Sequence, residues 1–158
     1  MTRLDYRPMR AFAYMCSTLV ASLSFAFCTV STACADELIL HVDNIREAGE
    51  IHIAIYDNAA AFEADRGDEG GAAPGIIEGN IEPVEPGSVT YRYESPAGTY
   101  AIGIFHDANL NNRLDNFFFG IPREQYGFSN NARGFMGPPS FEDAAIAVEG
   151  VTELRIRL

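Results

Sequence analysis

From residue 38 onward the chain is written in short runs whose apolar side chains recur at every second position, and this period of two restricts the fold more than any other feature. Residues 38–42 (LILHV), 50–56 (EIHIAIY) and 99–106 (TYAIGIFH) set the pattern. In the second run Ile51, Ile53 and Ile55 share one face, and in the third Tyr100, Ile102 and Ile104 do so. Alternation of this kind belongs to strands with one buried face, because successive side chains of an extended backbone leave on opposite sides. Residues 76–84, 88–94, 144–148 and 152–158 repeat it more weakly. Glu85-Pro86-Gly87 and Ser95-Pro96-Ala97-Gly98 separate the runs, with proline setting one dihedral and glycine free to take positive φ. Residues 58–66 have room for a helical turn, and no long amphipathic helix is present. The expected fold is therefore all-β: one small β-sandwich of immunoglobulin or transthyretin type with about seven strands. Residues 107–139 lose the alternation and are rich in Asn, Gly, Pro and aromatics, so a long irregular loop should follow the fifth strand.

The first 35 residues are of another kind. Arg3, Arg7 and Arg10 precede an uncharged stretch over residues 11–35, which ends in the small-x-small run Ala33-Cys34-Ala35. Basic end, apolar middle and small-residue cleavage site are the order of a secretory signal. The expected division is a signal peptide over residues 1–35 and a β-sandwich domain over 36–158, exported to the periplasm or secreted, with no stable membrane span after cleavage. All three cysteines (Cys16, Cys28, Cys34) lie inside the signal. The exported part then has no disulfide, no thiolate metal site and no cysteine nucleophile. Residues 1–35 hold three of the 11 basic and one of the 22 acidic side chains, leaving 8 against 21, a net charge of −13. That balance disfavours nucleic acid and anionic membranes as partners and suits cation binding.

The sharpest chemical signal is residues 107–115, DANLNNRLD. Oxygen-bearing side chains fall at positions 1, 3, 5 and 9, a spacing that converges ligands on a hard cation. Asp107, Asn109, Asn111 and Asp115 would supply side chains, and Arg113 its backbone carbonyl. Asn112 holds the position that normally needs glycine, and asparagine is the residue that next best tolerates a left-handed backbone. Calcium is the expected ion, of modest affinity because two ligands are neutral amides. The alternative is a polar loop whose Asp and Asn cap their own backbone. If the first two strands form a hairpin, His41 and His52 share a face and could, with His106, bind a transition metal; the alternative is half-exposed histidines on strands of undetermined register. The metalloprotease, nucleophile-elbow and phosphate-loop motifs are missing. Glu124 and Glu142 are candidate paired carboxylates. A triad of His106, Asp107 and Ser129 fails because adjacent strand residues face opposite ways. No catalytic residue is expected.

Several spaced motifs occur in order: Ala97-Gly98-Thr99-Tyr100-Ala101, His106-Asp107-x-Asn109-x-Asn111, residues 119–124 (FGIPRE), residues 126–131 (YGFSNN) and residues 137–144 (GPPSFEDA). In these the chain resembles a bacterial exported family of unknown function, domain-of-unknown-function family 2141. The resemblance implies a small β-sandwich and brings no established activity. The expectation is a non-catalytic binding or adaptor module with a calcium-binding loop, displaying the aromatic residues between Phe117 and Phe141 to a protein or glycan. The alternative is an envelope hydrolase using carboxylates near the same loop.

Overall fold

The computed structural model describes residues 36–135 and 137–158; the signal-peptide assignment lies outside them. Among these residues eight strands run in chain order: β1 (Glu37–Ile45), β2 (Gly49–Tyr56), β3 (Glu78–Val84), β4 (Gly87–Glu94), β5 (Gly98–Asp107), β6 (Tyr126–Phe128), β7 (Ile146–Val148) and β8 (Val151–Arg157). They form two sheets. One has the order β4-β1-β8; the other has the order β3-β2-β5-β6, with β7 also pairing β5. All pairings are antiparallel except β1 with β8, which is parallel. The all-β sandwich read from the sequence is what forms.

The alternation explains the core. Leu38, Leu40 and Val42 of β1 and Tyr91 and Tyr93 of β4 point inward from the smaller sheet. Ile51, Ile53 and Ile55 of β2 and Tyr100, Ile102 and Ile104 of β5 meet them from the larger one. Fully burying one such side chain is worth about 1.5–3 kcal/mol. Two core tyrosines keep a polar partner: Tyr93 donates to Asn80 Oδ1 at 2.6 Å and Tyr100 to the Pro96 carbonyl at 2.7 Å. Because β1 and β2 lie in different sheets, His41 and His52 are not cross-strand neighbours. His41 pairs in register with Thr90 and bonds its hydroxyl at 2.9 Å.

The strand that the sequence pattern hides is β6. Its inward residue is Gly127, opposite Ile104, and a β-carbon there would come within 2.7 Å of Ile156 Cγ2. Only glycine lets β6 sit this close to β8. Among the described residues two short α-helices accompany the sheets, α1 (Ala59–Ala64), within the segment that has room for a helical turn, and α2 (Phe141–Ala144). Asn58 caps α1 by accepting from Ala61 N at 3.1 Å, and Ser140 caps α2 by accepting from Asp143 N at 3.2 Å.

Across the parallel pair, Arg155 donates to Asp43 at 2.6 Å. That bond, helped by Ser88, holds the Asp43 carboxyl below its ordinary value of 3.8. The folded pKa is depressed, so the stabilisation is complete above 3.8 and is lost as pH falls through the folded value. With Arg155 mostly exposed, the pair is worth about 0.2–1 kcal/mol. Asp43→Asn should flatten the acid limb of a melting-temperature profile by that small amount and leave neutral-pH stability within about 1 kcal/mol.

Candidate functional site

The outer face of the five-stranded sheet is divided along β2. Tyr56, at one end, is covered by Phe62 of α1, which also meets Phe128 and Phe141 edge-on at 5.8 and 6.0 Å. Tyr56 donates to Asp65, tying the end of α1 to the sheet; burial pushes the phenol pKa up, and the Asp65 bond adds to it. One step along, the side chains become small. Gly79, Ala54 and Gly103 pair across three adjacent strands, and they floor a cleft of about 690 Å³. Phe105, Tyr126 and Phe128 wall one side, and the loops that carry Gly67, Leu114 and Ile121 complete the lining. Phe119, on the rim, is fully exposed and holds φ 68°, an uncommon conformation for a bulky residue.

The 107–115 loop is the continuation of β5. Asp107 is fully buried, and its two oxygens accept the backbone N–H groups of Asn111 at 3.2 Å and Asn112 at 2.6 Å. Asn112 stands at φ 61°, the left-handed conformation expected there, and so does Leu110. Asp115 receives the side-chain amides of Asn109 at 2.7 Å and Asn111 at 3.0 Å, and these bonds hold its carboxyl below the usual range. Arg113 donates its backbone N–H to Asn111 Oδ1 at 3.1 Å, and its guanidinium lies 3.5 Å from Asp115. Of the expected ligand set, the side chains of Asn109, Asn111 and Asp115 come together, while Asp107 sits beneath them and shapes the turn. Glu124 joins the ends of the loop, accepting from Ala108 N at 3.0 Å and Asp115 N at 2.9 Å. The loop in turn fixes a cleft wall, since Leu114 N donates to the Gly67 carbonyl at 2.6 Å and Gly71 N to the Asn112 carbonyl at 3.3 Å.

Beyond the cleft floor on the same outer face, His52 and Glu50 follow each other on β2, and Asp107 stands opposite Glu50 on β5. His52 Nε2 lies 3.6 Å from Asp107 Oδ2 and 3.9 Å from Glu50 Oε2. The imidazole stacks on Phe105 with ring centres 4.3 Å apart. Its Nε2 is buried with no hydrogen-bond partner. Burial lowers the His52 pKa, and the carboxylates of Asp107, Glu50 and Glu124 oppose that only in part.

A family model described as "Uncharacterized protein conserved in bacteria (DUF2141)" matches residues 40–155. The chain belongs to this family. The match takes in the cleft, the loop and the His52 cluster of this DUF2141 chain. No curated protein and no solved structure is significantly similar to it. Among the described residues, no helix of this family member is long and apolar enough to cross a membrane.

Other residues singled out in the sequence have structural tasks. Both carboxylate oxygens of Glu124 are committed to backbone N–H groups. Glu142 lies in the first turn of α2. Ser129 is fully buried, accepts from Ile102 N at 3.0 Å and donates to the Ala144 carbonyl. His106 packs on the core side of β5, opposite Ile51, while Asp107 faces outward. The cleft itself was not legible beforehand. Its floor depends on which small residues of three separate strands come into register, and no single strand carries that signal.

Proposed function

We propose that this chain is an exported, non-catalytic binding module whose outer-face cleft takes a small, largely apolar ligand, and whose 107–115 loop is a calcium site stiffening one cleft wall. The observation that carries the reading is the cleft. Its volume of about 690 Å³ falls in the range of ligand pockets, commonly about 300–1,000 Å³. Aromatic walls over a floor of Gly79, Ala54 and Gly103 suit a flat apolar group, and Asp65, Arg66, Asp68, Asn80 and Asn116, which also line the cleft, can meet a polar substituent on it. The basic, uncharged and small-residue order of residues 1–35 supports export. For calcium, the support is the meeting of Asn109, Asn111 and Asp115 above an ordered Asp107 turn. Calcium would require the two amides to turn their oxygens inward, replacing their bonds to Asp115. An exported module meets calcium at the concentrations that such modest sites need, about 10⁻⁴–10⁻³ M.

The test uses Nile red, a neutral apolar dye, as probe. The purified protein should give a saturable fluorescence rise, tighter with calcium than with a chelator. Gly103→Ile should weaken the dye at least tenfold. A β-carbon at Gly103 meets Phe128 at 3.6 Å, an ordinary contact, so the new side chain fills the cleft without forcing the strands apart. Its stability should stay within about 1 kcal/mol of wild type. Undiminished binding by Gly103→Ile would remove the cleft as the site.

A further inference from the structure

We propose that Glu50, His52 and Asp107 bind one divalent transition-metal ion of the zinc class, at the end of the outer sheet face beyond the cleft floor. The three ligand atoms lie within 4.8 Å of one another, on one face, from adjacent antiparallel strands. A tetrahedral ion bonded at about 2.0–2.1 Å sets its ligand atoms about 3.3–3.4 Å apart. The imidazole-to-carboxylate separations of 3.6 and 3.9 Å need to close by only a few tenths of an ångström.

A plain histidine–carboxylate hydrogen bond does not account for the arrangement. At those distances neither carboxylate receives a hydrogen bond, and the buried Nε2 has no other partner. A buried ring nitrogen aimed between two carboxylates is satisfied by a cation placed among the three, and two carboxylates balance the charge of a divalent ion. An imidazole ligand selects zinc and its neighbours over calcium, which prefers an all-oxygen shell. The supports are already in place: Phe105 fixes the ring plane, and the N–H groups of Asn111 and Asn112 fix Asp107. The zinc and calcium ligand sets share Asp107 and are told apart by Glu50 and His52 on one side and by Asp115 on the other.

Calorimetric titration of the purified protein with zinc alone should show one saturable equivalent per chain. Cobalt should give a visible d–d spectrum at the same stoichiometry. His52→Ala should weaken zinc at least tenfold and abolish the cobalt band, and Glu50→Gln, at a partly exposed position, should weaken zinc in the same direction. Asp115→Asn should leave zinc unchanged even where it removes a calcium response, and so should His41→Ala. Near-UV circular dichroism checks that each variant is folded; if His52→Ala is not, Glu50→Gln decides. No saturable zinc uptake, or uptake unchanged in the folded variant, would overturn the proposal.

Discussion

Asp107→Ala is expected to cost about 2–4 kcal/mol of stability and to remove both the calcium and the zinc response. Asp107 is fully buried at the end of β5, where it turns the chain out of the sheet. Hydrogen bonds from backbone N–H groups to an ionised acceptor are worth about 1.5–3 kcal/mol each, and Asp107 accepts two. Removing the carboxylate also relieves the desolvation of a buried charge, which keeps the net effect below the sum of the two bonds. The damage should spread along the loop. Without the Asp107 oxygens, Leu110 and Asn112 lose what holds them at φ 61°, and the side chains of Asn109, Asn111 and Asp115 lose their common anchor. Asp107→Asn keeps one acceptor oxygen and should fall between. Urea unfolding measures the stability change, and amide exchange at residues 111 and 112 reports the local loss. Wild-type protection at those amides in Asp107→Ala would contradict the role assigned to it.

Ser129→Ala should cost about 2–5 kcal/mol, a large effect for deleting one oxygen atom. The reason is a gap in the sheet. On the edge of β5 away from β2, β6 pairs with residues 103–105 and β7 with residues 98–100, which leaves Ile102 between them without a strand partner. The Ser129 hydroxyl takes that place: it accepts the Ile102 N–H at 3.0 Å and passes its own proton to the Ala144 carbonyl. Alanine would orphan both groups in a fully buried setting, at about 1–3 kcal/mol each. The comparison with Ser140→Ala sharpens the test. Ser140 is exposed and only caps a four-residue helix, so its loss should cost about 1 kcal/mol. Equal costs for the two serines would mean that the hydroxyl bridge does not hold β6 and β7 to the sheet.

How far the sequence could be read depended on the range of the interactions concerned. Alternation within β1, β2 and β5 is a local signal, and it places Leu40, Ile53 and Ile102 in the core correctly. The left-handed backbone at Asn112 is local too. The strand β6 escapes because it has three residues with glycine in the middle, a pattern that reads as a turn until Ile156 is placed against it. The pairing of His41 with His52 fails for a topological reason: consecutive strands entered different sheets, and nothing in either strand announces that. Glu50 and His52 are visibly on one face of their strand, but their meeting with Asp107 depends on the β2–β5 register. The same register, extended to β3, lines up Gly79, Ala54 and Gly103. The aromatics of the long loop divide between two tasks. Phe128 and Phe141 pin it to Phe62, whereas Phe118, Phe119 and Phe135 stay in solvent.

The most direct measurement is a ¹⁵N-correlated NMR titration of the protein with the same dye, read at its glycine amides. Gly79 and Gly103 on the cleft floor, with Gly67 and Gly120 around it, should shift together and saturate. Gly87, the first residue of β4, and Gly150, just before β8, should not move. Shifts confined to Gly87 and Gly150, or none at saturating dye, would show that the outer-face cleft is not a binding site.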